Sequence, residues 1–515
     1  MLLGIDLGTT RTVVAAVDRG NYPVVSFQTP GGDTHEWYPS LISTRGEARV
    51  FGFEAADGQN EPGRQMIRSF KRELAALGPD SQVIVGEHTL TALELLTEFL
   101  AALATQLRER SNLRLKPNEK LEVMISVPAN ANSNQRFITM EAFRRAGFIV
   151  RGMINEPSAA GVEYAHHHLT TGASLRRDHV VVYDLGGGTF DASVISMAER
   201  QHEVVSSEGI AHLGGDDFDQ LLLEMALSRT EIKELTEERR VRLLEECREK
   251  KEGLHANTRK IAIDLECVLE GAGEVILSTG EFYERCRPLV EQTIHAMEKA
   301  MERRPAGAEF DWRSVAAIYM VGGSINLPIV ARLLRERYGR QVRKSLYPHA
   351  ATAIGLAIAA DGATGYHLQE RFTRHFGVWR ESEDGRSISF DVLFEKETLL
   401  PAKNQKLSRA RRYHPTHNIG HLRFLECSRI DEHGHPTGDI TPWDELYFPF
   451  EPALRNEPQL ETVQIKRTTL GEQLIEELYS CDEHGIIEVN IIDQAHRYQR
   501  RYRIHGSQTV ARAVQ

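Results

Sequence analysis

The chain repeats one pattern, first as Gly4-Ile5-Asp6-Leu7-Gly8-Thr9-Thr10 and again as Asp184-Leu185-Gly186-Gly187-Gly188-Thr189-Phe190-Asp191. Each copy lies between runs of apolar and β-branched residues, which predicts a strand, a tight glycine turn and a returning strand, that is, a β-hairpin. Glycine lets the backbone approach an anion closely, and the threonine adds a hydroxyl donor beside exposed N–H groups. An aspartate at the end of the entering strand would repel a phosphate unless a hydrated Mg²⁺ lay between them. Two such turns, one from each half of a domain, therefore predict a clamp for a nucleoside polyphosphate.

The alternative interpretation of each turn is a plain hairpin without a ligand. Against it stand the three glycines and the second acid, Asp191, of the later copy. The presence of both copies between β-branched runs favours the nucleotide interpretation.

Composition narrows the class of protein. A chain of 515 residues, with 41% hydrophobic and 26% charged residues, is expected to form two or three globular domains. Its net charge of −11 argues against a nucleic-acid partner. No apolar run of membrane-spanning length and no signal-like start is visible, so we expect no membrane partner. The five cysteines are far apart, which favours reduced thiols and a cytoplasmic location over a disulfide framework or zinc site: Cys247, Cys267, Cys286, Cys427 and Cys481.

Hydrophobic periodicity divides the chain into an α/β part, up to about residue 361, and an all-β part after it. In the α/β part we predict short strands and turns over 22–49, strands at 121–127, 179–183 and 316–321, and helices at 65–77, 91–110, 133–146, 328–338, over most of 230–254 and from 155 onward. In the all-β part we predict strands at 388–394, 421–427, 462–467, 487–492 and 498–504. The predicted division is 1–362 for the α/β domain, 363–378 for a linker, 379–506 for a β-sandwich domain and 507–515 for a tail.

Six segments of the α/β part together resemble the ATPase domain of the DnaK-type (heat-shock 70 kDa) chaperones: 4–10, 126–136, 154–160, 183–191, 212–219 and 321–324. Residues 399–403 and 481–489 are similar to the β-sandwich peptide-binding domain of that family. The resemblance implies a duplicated actin-like, ribonuclease H-like ATPase domain of two lobes, followed by an all-β sandwich. It also implies an ATPase that uses ATP and ADP with Mg²⁺ and K⁺, and whose nucleotide state regulates the binding of extended polypeptide. A J-domain co-chaperone, a nucleotide-exchange factor and a monomeric state are the implied partners and assembly.

The resemblance also implies roles for individual residues. Asp6 and Asp184 match the carboxylates that hold the waters around Mg²⁺, and Asp191 matches an acid near the hydrolytic water that contacts K⁺ together with Asp6. Lys71 matches the catalytic lysine, and Glu156 matches the carboxylate that couples the metal's water shell to the lobe hinge. The implied catalytic set is Lys71, Glu156, Asp184, Thr189 and Asp191. The implied nucleotide-binding set is Gly8, Thr9, Thr10, Gly186, Gly187, Gly188, Gly214, Gly215, Lys251, Gly322, Gly323 and Ser324.

Pro128 and Arg136 match a proline switch and its arginine relay between domains. The linker Tyr366–Phe372 departs from the family pattern, because it is mostly polar where an apolar run is expected. We therefore expect it to bury little surface and to couple the domains weakly. About ten residues follow the β-domain, so we also expect no helical lid and fast release of bound peptide.

Departures also occur around the expected adenosine site. Asn326 stands where an arginine is expected to stack on adenine, a loss of about 0.5–2 kcal/mol. Arg248 replaces an acid, His255 replaces a serine and His349 replaces an aspartate. Arg11 replaces a tyrosine, and it either adds a cation near the phosphates or points to solvent.

Three other functions remain open. A sugar or acid kinase of the same superfamily needs its own acceptor pocket, and a filament-forming actin relative would lack residues 390–504. A nucleotide-sensing adaptor dedicated to one partner, with little turnover, would keep the fold. Apolar residues near 388–394 and 419–424 are the candidates for a peptide cleft. We interpret His166-His167-His168 as part of a turn rather than a metal site, and Lys406–Arg412 as an exposed loop or charged strand edge.

Overall fold

The computed structural model describes residues 1–58, 63–73, 77–170, 179–198, 201–230, 235–266, 268, 271–302, 314–381, 387–468 and 473–503. Cys267 and the predicted tail 507–515 lie outside these residues. Within them, every helix is too short or too polar to cross a lipid bilayer.

The first lobe is built on a five-stranded sheet in the order β12-β11-β1-β2-β5. The strands up to residue 155 are β1 Leu2–Leu7, β2 Arg11–Ala16, β3 Phe27–Gln28, β4 Thr34–His35, β5 Tyr38–Pro39, β6 Leu41–Arg45, β7 Ala48–Phe51, β8 Gln65–Arg68, β9 Gln82–Val85, β10 His88–Thr91, β11 Glu122–Val127 and β12 Ile149–Asn155. The helices are α1 Gly52–Asp57, α2 Phe70–Glu73, α3 Ala92–Glu109, α4 Ser133–Arg145 and α5 Glu156–Thr170. Helix α3 starts in a capping box of Thr91 and Glu94 and buries a leucine stripe in the lobe core.

The second lobe has a six-stranded sheet in the order β19-β18-β13-β14-β15-β20. Its strands are β13 His179–Leu185, β14 Phe190–Ala198, β15 Gln201–Ile210, β16 Lys260–Asp264, β17 Glu274–Ser278, β18 Val315–Val321, β19 Val342–Lys344 and β20 His367–Gln369. Its helices are α6 Gly215–Leu227, α7 Glu237–Glu252, α8 Thr279–Glu302, α9 Pro328–Tyr338 and α10 Ala351–Ala360. Short 3-10 helices cover Gly323–Asn326, Gly339–Gln341 and Gly362–Thr364.

Helices α5 and α10 join the two lobes. A Cβ atom on Gly355 of α10 would lie 1.8 Å from the carbonyl oxygen of Ala159 in α5, so the two helix backbones touch. A Cβ atom on Gly4 of β1 would likewise lie 2.4 Å from the carbonyl oxygen of Ala353. Small residues therefore let α10 cross α5 and the first sheet closely.

The β-domain consists of two four-stranded antiparallel sheets, β22-β21-β24-β25 and β23-β26-β27-β28, which share one hydrophobic core. The strands are β21 His375–Glu381, β22 Ile388–Phe394, β23 Leu407–Tyr413, β24 Ile419–Ile430, β25 Pro436–Pro449, β26 Ile475–Cys481, β27 Ile487–Asp493 and β28 Tyr498–Arg503. Short 3-10 helices lie at Pro452–Leu454 and Leu460–Thr462. The first strand of the domain begins at His375, inside the segment predicted as linker.

Several sequence predictions are wrong. The predicted helix 65–77 contains strand β8 and only the short helix α2, because Met66 and Ile67 extend the sheet of β6. The predicted strand 462–467 is irregular, with an isolated bridge at Arg467. The run His166-His167-His168 lies within α5 rather than in a turn.

Candidate functional site

The two glycine turns of the repeated pattern face each other across the cleft between the lobes. The strands around each turn pair as the predicted hairpins, β1 with β2 and β13 with β14. A Cβ atom on Gly187 would lie 2.7 Å from Oγ1 of Thr10, and one on Gly188 would lie 2.7 Å from Cγ2 of Thr9. The glycines are therefore required for this close approach, which leaves backbone N–H groups near the cleft.

The cleft brings most of the sequence-predicted site residues into one pocket. Its lining includes Asp6, Gly8, Thr9, Thr10, Lys71, Glu156, Asp184, Gly186, Gly187, Thr189, Gly215, Lys251, Gly322, Gly323 and Ser324. Gly188 and Gly214 lie just behind it, since a Cβ atom on Gly214 would lie 2.6 Å from the Gly188 nitrogen. Asp191 and Pro128 line a different cavity on the far side of Lys71. Arg136 is not in the cleft.

An ion pair marks the inner end of the cleft. Nζ of Lys71 donates to Oε1 of Glu156 at 2.5 Å, and the two side chains are only 7% and 9% exposed. Burial acts to lower the pKa of Lys71, but the Glu156 and Asp6 carboxylates raise it overall. Lys71 therefore remains a charged, fixed donor.

Three aspartates surround this pair. Burial and, after it, the charge of Glu156 raise the pKa of Asp6 to about 7. Burial and the charge of Glu156 also raise the pKa of Asp184 and of Asp191 well above the usual range. Oδ1 of Asp191 is buried and has no hydrogen-bond partner among the described residues. The site therefore holds more buried carboxylate charge than Lys71 neutralises.

This excess of carboxylate oxygens fits a hard cation such as Mg²⁺, which prefers oxygen ligands and keeps several waters. Within the described part of the chain, no group of three or more His, Cys, Asp or Glu side chains is arranged to hold a metal ion directly. The donor set therefore suits a hydrated ion that is held through water.

The outer part of the pocket carries a set of ion pairs that sequence reasoning missed. Lys251 donates to the Gly215 carbonyl oxygen at 2.7 Å and pairs with Asp219 at 2.6 Å. Arg248 pairs with Asp219 at 3.2 Å and with Asp216 at 2.8 Å. The arginine that replaces an expected acid is thus neutralised by acids of α6.

Asn326 and His349, the two other departures, both line the pocket. Oδ1 of Asn326 accepts from Lys344 at 2.6 Å, and Nε2 of His349 lies 3.5 Å from Glu36. Gly322 adopts a φ of +88°, and a Cβ atom there would lie 2.6 Å from Oδ1 of Asp184. Only glycine fits at this position.

Polar contacts bridge the two lobes over the cleft. Arg11, whose role the sequence left open, pairs with Glu252 of α7 at 2.6 Å and stacks on the Trp37 ring at 4.6 Å. Deeper in, Oγ of Ser69 donates to Asp216 at 2.6 Å. Further bridges join Arg68 to Glu245 at 2.9 Å and Arg72 to Asp217 at 3.4 Å.

A hydrogen-bonded path leads from the cleft to the linker and the β-domain. Asn155 precedes Glu156, and its Oδ1 accepts from Nη2 of Arg136 at 2.6 Å. Its backbone N–H donates to Oε1 of the linker residue Glu370 at 2.9 Å. Nη1 of Arg136 donates to the carbonyl oxygen of His484 in the β-domain at 3.4 Å. Glu156 and Arg136, which the resemblance assigns to coupling, are thus connected through Asn155, the chain neighbour of Glu156 and the hydrogen-bond acceptor of Arg136.

The polar linker docks, contrary to the expectation of weak docking. Strand β20 adds to the edge of the second-lobe sheet by parallel pairing with β15. Glu370 is 7% exposed, and burial raises its pKa. Arg371 pairs with Glu203 of β15. Backbone pairing and buried polar contacts therefore replace the apolar surface that was expected.

The β-domain contacts the first lobe at the start of α4. Glu426 of β24 accepts from the backbone N–H of Ser133 at 3.2 Å and from the Ser133 hydroxyl. It also lies 3.6 Å from Nε of Arg374, and both side chains are almost fully buried. Ile486 packs on the hydrophobic core of the first lobe.

The segment Lys406–Arg412 largely forms β23, the edge strand of its sheet, as the charged-edge interpretation predicts. Arg411 pairs with Asp391 at 2.7 Å, and Arg412 with Glu476 at 2.6 Å. The apolar residues near 388–394 that were candidates for a peptide cleft are partly in the core, since Leu393 and Phe394 are almost completely buried.

A protein-family model matches most of the chain. The model described as Hsp70 protein matches residues 2–372, which comprise both lobes, strand β20 and the linker up to Phe372. The match includes both glycine turns, the Lys71–Glu156 pair and Glu370.

Proposed function

This chain belongs to the Hsp70 family, whose members are ATP-binding chaperones, and from that premise we propose that it binds and slowly hydrolyses ATP to regulate the binding of extended polypeptide segments by its β-domain. The observation that carries the proposal is the meeting of two glycine turns and the buried Lys71–Glu156 pair in one interlobe cleft. A kinase with an acceptor pocket and an actin-like filament protein are less consistent with a β-domain docked on the first lobe.

Different residues of the cleft bind the phosphates, the Mg²⁺ ion and the K⁺ ion. Backbone N–H groups around Gly186 to Gly188, with Thr9 and Thr10, bind the phosphates. Asp6 and Asp184 would hold a hydrated Mg²⁺, which would supply neutralisation of the phosphate charge. Asp191, with Asp6, is the proposed contact for K⁺. Phosphoryl transfer depends mainly on positioning and charge neutralisation, so this set suffices for slow turnover.

Lys71 positions the terminal phosphate and the attacking water, and Glu156 fixes the Lys71 side chain. Water forms a bond to the terminal phosphorus as the bond from that phosphorus to ADP breaks, and Oδ1 of Asp191 accepts the proton of the water. Oδ1 of Asp191 is buried and has no hydrogen-bond partner among the described residues, so its lone pairs are available to accept the proton. Thr189 donates to the phosphate that leaves.

Base selectivity is the part of the site that departs most from the family. With Asn326 in place of a stacking arginine, we propose weaker binding of adenine rather than a change of base. The part of the site that binds the nucleoside also includes Gly214, Gly215, Lys251, Gly322, Gly323 and Ser324.

Coupling runs from Glu156 through Asn155 to Glu370 and Arg136. Movement of the lobes with the nucleotide shifts this hydrogen-bonded set, and Pro128 lies at the start of the loop that leads into α4. We expect a J-domain co-chaperone and a nucleotide-exchange factor to act on a monomer in the cytoplasm. A reducing compartment suits the buried thiols of Cys247, Cys286, Cys427 and Cys481.

The test is the dissociation rate of a fluorescent extended apolar peptide from the full chain with ADP and with ATP·Mg²⁺. We expect faster release with ATP in the wild type. In Glu370→Gln, release is expected to lose its dependence on the nucleotide while ATP hydrolysis continues. Equal release rates with both nucleotides in the wild type would contradict the proposed regulation.

A second candidate is an adaptor that senses nucleotide and holds one specific partner. The observation in its favour is a charged cluster between the strands of the β-domain, in which Arg380 pairs with Asp391 and with the fully buried Glu477, each at 2.6 Å. Such a cluster favours a polar, selective ligand over many apolar peptides. Binding of no peptide from a varied apolar library would support this candidate.

A further inference from the structure

A cavity of about 710 Å³ lies behind the inner end of the nucleotide cleft. One wall is formed by Lys71, Thr189 and Asp191, and the opposite wall by Thr441 and Trp443 of strand β25 in the β-domain. The volume far exceeds that of one water, about 30 Å³ in the liquid. The cavity therefore has room for a small ion together with its waters.

The cavity and the nucleotide cleft share two wall residues. Lys71 and Thr189 line both spaces, one on each side. These are the residues assigned above to the terminal phosphate. The place where phosphate is produced thus lies at the boundary between the cleft and the cavity.

The other side of the cleft is obstructed. After hydrolysis ADP still fills the nucleotide pocket, and the bridges Arg11–Glu252 and Ser69–Asp216 cross over it. Phosphate could leave on that side only after ADP leaves and the bridges open. Through the cavity, phosphate can leave while ADP stays bound and the bridges stay closed.

Apart from the Asp191 and Asp439 carboxylates, the polar groups of the cavity wall suit a hydrated anion. Side-chain amides line it, among them Asn130 in the loop before α4, and Asn134 and Gln135 in the first turn of α4. The N-terminal end of a helix favours negative charge. Arg374, which is 4% exposed, adds a guanidinium to the wall, although its charge is shared with Asp439.

Arg374 also fixes the β-domain wall of the cavity. Its Nη1 donates to Oδ2 of Asp439 at 2.6 Å, and its Nη2 donates to the Asp439 carbonyl oxygen at 2.9 Å and to Oγ1 of Thr441 at 3.0 Å. The Asp439 side chain is 58% exposed, so the pair lies at the rim. The position of the β-domain relative to the first lobe therefore determines the width of the cavity.

We propose that this cavity is the exit route of inorganic phosphate, closed on one side by the docked β-domain, so that undocking speeds phosphate release. The inference rests on the proposed ATP hydrolysis. It assigns to β25 a role beyond peptide binding, as a wall of the route taken by a reaction product.

The test uses two variants of the full chain that change the route in opposite directions. Ala211 is exposed and lines the cavity, so Ala211→Phe should narrow it, and Asp439→Ala should loosen the β-domain wall. Ala101→Phe, at an exposed position of α3 outside the cavity, is the matched control. None of these residues belongs to the catalytic set.

In a single turnover with ATP·Mg²⁺, chemical quench measures hydrolysis and a fluorescent phosphate sensor measures release. We expect Ala211→Phe to slow release about tenfold relative to hydrolysis, Asp439→Ala to speed it, and Ala101→Phe to change neither. Unchanged release in Ala211→Phe, with hydrolysis intact, would overturn the exit route and leave the ATPase standing.

A second arm does not depend on turnover. Orthophosphate is titrated into the ADP-loaded protein, with Trp37, Trp312 and Trp379 replaced by Phe, and the fluorescence of Trp443 is followed. We expect a saturable change that Ala211→Phe weakens. If phosphate causes no change in Trp443 fluorescence, the exit route is overturned, whether or not the protein hydrolyses ATP. Absence of hydrolysis in the quench assay would instead overturn the proposed ATPase.

Discussion

One buried carboxylate, Glu426, contributes to docking of the β-domain on the first lobe. It accepts from the backbone N–H and the hydroxyl of Ser133, and it lies close to Arg374. Hydrogen bonds to a charged group contribute about 1.5–3 kcal/mol each. Because the undocked carboxylate regains water, we take about 3 kcal/mol for loss of the pair in Glu426→Ala. The docked population relative to the undocked one should then fall roughly 100-fold, since 1.4 kcal/mol is a factor of ten.

Amide hydrogen exchange with mass-spectrometric readout measures this change directly. In the docked state the N–H groups of Ser133 and Asn155 are bonded to Glu426 and Glu370 respectively. Both should exchange up to about 100-fold faster in the variant, while the amides of α3 keep their protection. Small-angle scattering should show a larger radius of gyration.

Glu432→Gln is the matched control, because that side chain is 89% exposed and lies in the same domain. It should leave exchange at Ser133 unchanged. Unaltered protection of Ser133 and Asn155 in Glu426→Ala would refute the reasoning that this carboxylate maintains docking.

Three further predictions concern the cleft and the core. Lys71→Ala should lower the single-turnover hydrolysis rate, measured by chemical quench, about 10²–10³-fold, because a positioned charge near the phosphate is lost. Nucleotide affinity, measured by calorimetry, should change far less. Equal losses of hydrolysis rate and of affinity would contradict this role. Arg11→Glu should speed release of a fluorescent nucleotide by up to about fivefold, since a half-exposed pair contributes about 0.2–1 kcal/mol, and Arg11→Glu with Glu252→Arg should restore it. Burial raises the pKa of Glu163 from 4.5 to about 7, so the folded state binds more protons than the unfolded state in that window and loses stability as pH rises through it. Glu163→Gln should raise the free energy of unfolding by up to about 3 kcal/mol at pH 8 and much less at pH 5, measured by urea titration; an equal effect at both pH values would contradict the assignment.

Sequence reasoning located the parts of the fold with strong local signals. The hairpins around Gly8 and Gly187, helix α3 with its leucine spacing, and strand β18 before a glycine turn lie where the pattern placed them. The prediction of a helix from Gln65 was wrong because this segment forms a strand only through its pairing with β6. Tertiary pairing overrode local helix propensity there.

Four strands of the β-domain were not predicted as strands: β21, β23, β25 and β26. Of these, the sequence indicated only β23, as an exposed loop or a charged strand edge. Strand β23 shows why, since three arginines interrupt its pattern, and one of them, Arg411, donates to Asp391 of β22 in the other sheet. Arginine stems cover apolar surface while their charges pair elsewhere, so polarity hid the strand. In the site, the turns and Lys71 were recognisable, but Arg11–Glu252 joins residues 241 positions apart and has no local signature.

The parallel pairing of β20 with β15 has a consequence for solubility. While the linker is docked, it covers the outer edge of the second-lobe sheet over Gln201 to Glu203. When the linker leaves, those N–H and C=O groups become a free template to which an extended strand of another chain can add. The acid Glu203, released from Arg371, then stands on the open edge as the charge that opposes such self-association.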